Sequence, residues 1–315
     1  MTASAPLVTV IVPGRDIAAF APAALDSLRA QTESRWRAIL IDDGSTDETA
    51  AIFADAASSD PRFRMLRHEA SLGLGAARNV GLSLVDTEYL GFLDGDDELA
   101  PTALARLTGT LAETGSDFAA AAYVRSRFDG ERYVAGRVQP WVSAATDPAR
   151  LGTTIVEHPR ASANIVAWSK VSRAAFWADL RFPEGVAYED QIVAQQMYTR
   201  ARAFDVIPDA VVRWRLRADG SSITQGKAQL PVLLDYLTAL RGGIRVLRDA
   251  GAHAAVTARL ELILTMDVPP LQEIAGAHPD PAYAAAVSAF IAELRSLPEF
   301  ADAHPDPDLV AALAW

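Results

Sequence analysis

The chain contains no cysteine, which excludes disulfides, thiolate metal sites and thiol nucleophiles. Its five histidines are scattered, and none of them has the paired spacing of a His-Glu-x-x-His zinc site. No apolar run approaches the ~20 residues that span a bilayer. Residues 1–6 lack the basic start and the apolar core of a signal peptide. These absences favour a cytoplasmic protein, with peripheral contact at the inner face of the membrane left open.

Positive charge is also scarce. The 315 residues include 29 basic and 40 acidic side chains, which gives a formal net charge of −11. A nucleic-acid surface would need a basic patch, so a nucleic-acid partner is not expected. Half of the residues are apolar, enough to form the core of one large α/β domain or of two smaller ones.

Strand-like and helix-like segments alternate through the first hundred residues. Short β-branched or apolar runs predict strands at 7–12, 36–41, 63–66 and 89–93. The intervening helices are predicted to begin near Pro22, at a capping box formed by Ser45 and Glu48, and within residues 71–81. This alternation predicts an α/β fold with a doubly wound, mostly parallel sheet.

The remaining two thirds of the chain are predicted in less detail. Asp129-Gly130 lies between two strand-like runs and indicates a hairpin. Residues 165–177 are predicted to be helical, and residues 211–217 alternate as a strand. From about residue 227 the chain is predicted to be helical, with an apolar stripe expected to pack on the body: Leu233, Leu237, Leu240, Ile244 and Leu247.

Three carboxylates follow the apolar run 89–93, namely Asp94, Asp96 and Asp97. They cannot all ionise side by side without a cation or hydrogen-bond donors to offset their repulsion. A hard divalent metal with oxygen ligands is the natural partner, especially one that also binds phosphate. Asp97 could instead do no more than begin the next segment.

Two further features belong at the same sheet edge. Asp42-Asp43 follows the second strand, and Arg78 lies about one turn into a helix that a glycine-rich loop precedes. Carboxylates accept hydrogen bonds from a base or a ribose, while a metal and an arginine neutralise a diphosphate. Because the carboxyl ends of parallel strands share one crevice, these residues predict a site for a metal-bound nucleoside diphosphate.

The motifs, taken in order, resemble those of the inverting family-two glycosyltransferases of the GT-A fold. Each motif is weak alone, but five in this order over roughly the first 225 residues are specific. The matching segments are the first strand ending in Pro13, residues 41–47, residues 73–79, residues 92–97 and Tyr188-Glu189-Asp190.

The resemblance implies a role for each matching residue. Asp43 would contact the base, Arg78 the diphosphate, and Asp94 the ribose or the metal shell. Asp96, with Asp94, would hold Mn²⁺ or Mg²⁺, which takes up charge on the departing diphosphate. Asp190 would be the catalytic base that deprotonates the acceptor hydroxyl and so gives inversion.

Other assignments concern the rims of the site. Arg213 to Arg217 resembles the segment that closes over the donor, so Arg215 and Arg217 are predicted to bind it. Pro13 and Arg15 are also assigned to the donor, and Arg15 replaces the aromatic residue usual beside the base. That replacement leaves thymidine or guanosine open besides uridine.

Trp168 and Glu189 are assigned to the acceptor side. Adjacent helical residues diverge by ~100°, so Glu189 is expected to point away from Asp190. Residues 164–170 resemble the acceptor-side helix of the family, and either Trp168 or Trp214 could stack on a sugar ring.

The expected organisation is a GT-A domain over 1–225 and a C-terminal helical extension over 226–315. Residues 1–115 would bind the nucleotide and residues 116–225 the acceptor. The form of the motifs favours a bacterial cell-envelope enzyme with a nucleotide-sugar donor and a glycan, polyol or lipid-linked acceptor. A nucleotidyltransferase or a non-catalytic sugar-nucleotide-binding protein of the same fold stays open as an alternative.

Overall fold

The computed structural model describes residues 5–217 and 226–304, which form ten strands and ten α-helices. The strands are β1 (Val8–Gly14), β2 (Trp36–Asp42), β3 (Phe63–Arg67), β4 (Tyr89–Phe92), β5 (Glu98–Leu99), β6 (Phe118–Phe128), β7 (Tyr133–Val138), β8 (Arg150–Thr153), β9 (Lys170–Arg173) and β10 (Phe204–Leu216). The helices are α1 (Ala21–Arg29), α2 (Thr49–Ser59), α3 (Leu74–Leu82), α4 (Ala103–Thr114), α5 (Pro140–Thr146), α6 (Asp190–Arg200), α7 (Leu230–Asp249), α8 (His253–Leu262), α9 (Val268–Ala277) and α10 (Pro281–Arg295).

All ten strands belong to one sheet, whose main path runs β3-β2-β1-β4-β9-β6-β10-β5. The first four strands along this path pair in parallel, as the alternating sequence pattern predicts. In the other half, β9 pairs antiparallel with both β4 and β6, whereas β6 and β10 are parallel. The α/β sheet fold is therefore confirmed, with parallel pairing concentrated in the half that carries the first motifs.

The first helix is confirmed, with Pro22 in its first turn. The capping-box prediction for the second helix is wrong, because α2 begins at Thr49 and not at Ser45. The Ser45 hydroxyl instead accepts a hydrogen bond from the Asp16 amide, and Asp47 accepts one from the Thr49 amide. The Ser45 hydroxyl is thus used in a hydrogen bond between two loops and does not cap the helix.

The predicted helix over 165–177 is wrong. The segment consists of a 3₁₀ turn (Ala167–Ser169), strand β9 and a second 3₁₀ turn (Ala174–Trp177). Short buried apolar runs do not distinguish helix from strand by periodicity. Here β9 fills the gap between β4 and β6, whose facing edges would otherwise have unpaired backbone groups.

The C-terminal helices pack on the sheet domain through the predicted stripe on α7, which is buried. Pro269 and Pro270 lie in the first turn of α9 and do not interrupt it. A π-helical turn, Ile263–Asp267, joins α8 to α9. None of the helices over 5–217 and 226–304 is long and apolar enough to cross a membrane. The domain division near residue 225 stays a prediction.

Candidate active site

The loop after β4 rests directly on the end of β1. The Gly95 amide donates to the Pro13 carbonyl at 3.1 Å. A Cβ atom on Gly95 would lie 2.4 Å from Ile17 Cδ1 and 3.0 Å from that carbonyl oxygen. A side chain there would require the Ile17 side chain and the Pro13 carbonyl to shift, which favours the glycine between Asp94 and Asp96. Pro13 thus positions the acid-bearing loop, and its contact with a donor stays a prediction.

The three acids of this loop form a cluster. One carboxylate oxygen from each of Asp94, Asp96 and Asp97 lies within 4.8 Å of the other two. Burial, then the charges of Asp96 and Asp94, raises the pKa of Asp97 well above its usual value. Burial also raises the pKa of Asp94, against the attraction of Arg78. Oxygen ligands at this spacing, with repulsion still to offset, fit a hard divalent cation.

Two arginines contact the acid loop, Arg215 near the end of β10 and Arg217 just after it. Arg217 donates from Nε and Nη2 to Asp96 Oδ2, at 2.9 and 2.7 Å. Arg215 donates from Nε to the Asp96 carbonyl at 2.5 Å and from Nη2 to the Phe20 carbonyl at 2.9 Å. Its backbone N–H donates to Asp97. Arg215 therefore supports the loop, whereas Arg217 binds the carboxylate of the predicted metal ligand, and contact of either arginine with a donor stays a prediction.

Arg78 links the acid cluster to the loop before α6. Its side chain is 2% exposed and forms ion pairs with Asp94, at 2.6 Å, and with Glu189. Burial would lower the pKa of Arg78, but the two carboxylates outweigh burial and raise it. The guanidinium also lies over the Phe182 ring, at 5.2 Å. The predicted diphosphate contact therefore requires Arg78 to share or exchange a partner.

Asp190 and Glu189, adjacent at the start of α6, have different partners. Glu189 is bound to Arg78, whereas the Asp190 carboxylate accepts no hydrogen bond from residues 5–217 or 226–304. Burial, then the charge of Glu189, raises the pKa of Asp190 to about 7. A half-buried carboxylate with a pKa near neutrality has the property that a general base needs.

Lys170 is a buried cation near this carboxylate. Its Nζ donates to the Asn164 carbonyl at 2.7 Å, to Asn164 Oδ1 at 3.0 Å and to the Val166 carbonyl at 2.6 Å. Burial lowers the pKa of Lys170 to about 7, against the attraction of Asp190. Lys170 and Asp190 line the same small cavity, beside Trp177 and Phe182. The two groups therefore influence each other's protonation.

Asp43 organises the loop that precedes α3. One oxygen accepts from His68 Nδ1 at 2.7 Å and from the Leu72 amide at 2.9 Å. The other accepts from the Ser71 hydroxyl at 2.7 Å and the Gly73 amide at 2.9 Å. Burial would raise the pKa of Asp43, but these hydrogen bonds outweigh burial and lower it. Contact with a base stays a prediction, and would compete with these donors.

The remaining predicted residues differ in accessibility. The Arg15 side chain is 55% exposed at the rim and lies 3.5 Å from Asp16. Trp168 is 5% exposed and packs edge-on against Tyr123, with 4.8 Å between ring centroids. Trp168 thus lies below the surface of the predicted acceptor side, and stacking on a sugar would require it to be uncovered.

One residue of the site has no signal in the sequence. Lys170 lies in a short apolar segment, and a single lysine there gives no periodic pattern. For Asp97 the sequence leaves two interpretations, a third acid of the cluster or the start of the next segment. The residue is 2% exposed and completes the acid cluster, since a third adjacent acid needs a partner as much as the other two.

Part of the chain that builds this site is similar to known proteins. A family model described as glycosyl transferase family 2 matches residues 9–167. The uncharacterized glycosyltransferase EpsJ of Bacillus subtilis is 36% identical over 129 residues, 41% of this chain and 37% of EpsJ. The glycosyltransferase GlyA of Streptococcus pneumoniae is 26% identical over 234 residues, 73% of this chain and 34% of GlyA. The chain thus spans about a third of each relative's length.

Solved structures share the fold at low identity. S. aureus TarS residues 1–349 in complex with UDP superimposes with a TM-score of 0.66 at 20% identity, over 98% of this chain and 87% of that chain. The mannosyltransferase PcManGT from Pyrobaculum calidifontis, in complex with GDP-Man and Mn²⁺, has a TM-score of 0.58 at 17% identity, over 99% and 87%.

Proposed function

The chain belongs to glycosyltransferase family 2, and from that premise we propose that it transfers a sugar from a nucleoside-diphosphate sugar to an acceptor hydroxyl with inversion. The UDP complex of the matched TarS structure supports a UDP-sugar as the donor. The group that we propose is transferred is a hexosyl or an N-acetylhexosaminyl group. The relatives are bacterial glycosyltransferases, which supports a bacterial enzyme. Its proposed acceptor is a cell-envelope glycan, a polyol or a lipid-linked acceptor.

The observation that carries this proposal is the state of Asp190. Its carboxylate is unpaired in the described part of the chain, and burial raises its pKa to about 7. Asp190 takes the acceptor proton as the acceptor oxygen attacks the anomeric carbon. The bond from that carbon to the diphosphate oxygen breaks, and the diphosphate leaves with the electron pair. A base whose pKa lies near the working pH combines a large ionised fraction with a strong driving force for taking a proton.

The donor end uses the acid cluster. Asp94 and Asp96 would hold Mn²⁺ or Mg²⁺ together with Asp97, and the cation would stabilise charge on the departing diphosphate. Arg217 and Arg78 flank these acids and would contact diphosphate oxygens. Asp43 keeps the Ser71–Gly73 loop in place beside α3. This division leaves Asp190 and Lys170 for the acceptor.

The test compares the wild-type protein with Asp190→Asn. A thermal-shift screen of UDP-, GDP- and TDP-sugars with Mn²⁺ first identifies a donor. Release of nucleoside diphosphate is then measured with that donor, with and without candidate acceptors. Asp190→Asn is expected to lower the turnover rate by about 10²–10⁴-fold, because it removes a general base, while nucleotide affinity stays unchanged.

The matched control is Asp249→Asn, which removes an exposed carboxylate at the end of α7 and should turn over normally. Normal turnover in Asp190→Asn would refute its role as base. Release of nucleoside diphosphate that is lost in Asp96→Ala excludes both alternatives, because a nucleotidyltransferase releases pyrophosphate and a binding protein releases nothing. If no nucleotide stabilises the fold, the donor-site assignment fails.

A further inference from the structure

Arg125 on β6 differs from the other arginines that are buried beside the active site. Arg78 is paired with carboxylates, Arg215 with carbonyl groups and Glu98, and Arg259 donates to Gln191 at 2.9 Å. Within residues 5–217 and 226–304, Arg125 has neither a hydrogen-bond acceptor nor an ion-pair partner. Its Nε is buried and unpaired. A partly desolvated guanidinium without an acceptor is costly, so this group is suited to an anion from outside the chain.

The aromatic surroundings hold the Arg125 guanidinium in place. Its Cζ lies 5.0 Å from the ring centroid of Trp141 and 5.0 Å from that of Trp214. Trp214 is the register neighbour of Arg125 on β10 and also packs near Trp168, with 6.2 Å between centroids. Contacts with the ring faces shield the Arg125 guanidinium from part of the solvent and leave its N–H donors without acceptors.

Arg125 lies on the acceptor side of the sheet. Arg215 is one residue on from Trp214 along β10 and points the other way, toward the Asp96–Asp97 loop. Along β6, Tyr123 precedes Arg125 by two residues on the same face. Tyr123 packs against Trp168 and interacts electrostatically with Asp190. The face that carries Arg125 is therefore the face of the proposed base.

Positive charge continues around this position. Arg127 follows Arg125 by two residues on β6, exposed and without a partner in the described part of the chain. Lys227, before α7, interacts electrostatically with both Arg125 and Arg259. Its nearest carboxylate, Asp267, is 3.9 Å away and also accepts from Tyr236. Around Arg125 the local charge is thus positive, although the chain as a whole carries a net charge of −11.

We propose that Arg125 binds an acidic group, a phosphate or a carboxylate, carried by the acceptor. The inference rests on the proposed glycosyl transfer and narrows its acceptor to an anionic molecule. Successive same-face residues on a strand are ~7 Å apart. Arg127 follows Arg125 on the same face of β6. It could therefore bind a second acidic group if the acceptor carries such groups at regular intervals.

The test measures binding of three matched probes to the UDP- and Mn²⁺-loaded protein: glucose, glucose 6-phosphate and glucuronate. At least one acidic probe should bind the wild-type protein about tenfold or more tightly than glucose, since a charge-assisted hydrogen bond is strong enough for that ratio. The preferred acidic probe distinguishes a phosphate from a carboxylate. Arg125→Gln should remove the preference, and Arg125→Lys should keep part of it because the charge is retained.

Arg64→Gln is the matched control, since it removes an exposed arginine on β3, at the far end of the sheet path, and should leave the ratio unchanged. Equal binding of acidic and neutral probes to the wild-type protein, or no acidic probe bound, overturns the proposal. A preference that persists in Arg125→Gln also overturns it. UDP affinity measured in the same samples separates this failure from a failure of the proposed function, in which UDP itself would not bind.

Discussion

Arg217 donates two hydrogen bonds to a single carboxylate oxygen of Asp96, from Nε at 2.9 Å and from Nη2 at 2.7 Å. Asp96 is the predicted metal ligand, so the Arg217 guanidinium and a metal ion would compete for the same oxygen. A cation at the acid cluster would release Arg217 from Asp96 and make its guanidinium available to a diphosphate. Metal binding and donor binding would then be coupled through one arginine.

This coupling predicts opposite effects of Arg217→Gln on two affinities. Without nucleotide, Mn²⁺ should bind about tenfold more tightly, because a competing hydrogen bond to a charged group, worth ~1.5–3 kcal/mol, is gone. With Mn²⁺ present, UDP should bind more weakly. Calorimetric titrations of both ligands check this, with Arg64→Gln as the control. Weaker or unchanged Mn²⁺ binding to the nucleotide-free variant would contradict the competition.

The protonation state of Asp190 predicts the pH dependence of transfer. Its pKa is raised to about 7 by burial and Glu189, and a general base must be ionised. The turnover rate should therefore fall as the pH drops through about 7. Lys170→Met removes a buried cation that lowers the pKa of Asp190, so the acidic limb should move to higher pH.

Rate profiles between pH 5 and 9 for both proteins measure the shift in this limb, at ~25 °C. Melting temperatures should accompany them, because the carbonyls of Asn164 and Val166 lose a donor in Lys170→Met. A limb that stays in place in a folded Lys170→Met protein would show that the two groups are not coupled.

Asp43→Asn should destabilise the fold as well as weaken donor binding. The carboxylate accepts four hydrogen bonds, and an amide has one oxygen to replace two. The expected loss is ~1–3 kcal/mol of unfolding free energy, the cost of leaving buried groups unpaired. Thermal melts check the change, and Asp55→Asn, an exposed acid on α2, should melt like the wild-type protein.

The wild-type melt should also depend on pH through Asp43. In the folded protein the pKa of Asp43 is below its usual value. The stability that its carboxylate contributes is therefore fully present above the pKa of Asp43 in the unfolded chain, and it is lost as the pH falls through the pKa of Asp43 in the folded protein. Asp43→Asn should therefore lose less stability on acidification than the wild-type protein does. If the melting temperatures of the two proteins fell equally as the pH is lowered, the role of Asp43 in acid sensitivity would be contradicted.

The C-terminal helices should affect turnover through the loop before α6. Asp235 on α7 accepts a hydrogen bond from the Ala187 amide at 3.0 Å. Tyr188, at φ +60°, is held by Tyr236, with 4.4 Å between ring centroids. A positive φ is strained for tyrosine and needs support from its surroundings. Asp235→Ala should slow turnover by about ten- to a hundredfold through misplacement of Asp190.

Nucleotide affinity should change little in Asp235→Ala, because α7 contacts the acceptor end and not the acid cluster. Steady-state rates and UDP titrations measure the two effects separately. Asp249→Asn, on the same helix, should behave like the wild-type protein. If Asp235→Ala lost turnover rate and UDP affinity to the same extent, the cause would be general unfolding and not a local displacement of Asp190.

The sequence alone determined the parallel half of the sheet and the acids at its edge. The β-branched run over residues 8–12 is suited to little except a buried strand. Asp94-Gly95-Asp96 follows another apolar run, residues 89–93, and must lie at the sheet edge where that run ends. The same local logic failed at Ser45, where a capping box was read from spacing but the hydroxyl bonds to Asp16. Contacts between distant loops have no signature in local spacing.

Only the tertiary structure decided which side chains share partners. Arg78 joins Asp94 to Glu189, although 111 residues separate Arg78 from Glu189 along the chain. Lys170–Arg173 forms a strand because it pairs with both β4 and β6, not because of its own periodicity. Burial next to Asp190 sets the pKa of Lys170, and burial is a property of the packed chain. The sequence determined the chemistry available at the sheet edge, and long-range packing decided how each group is charged and paired.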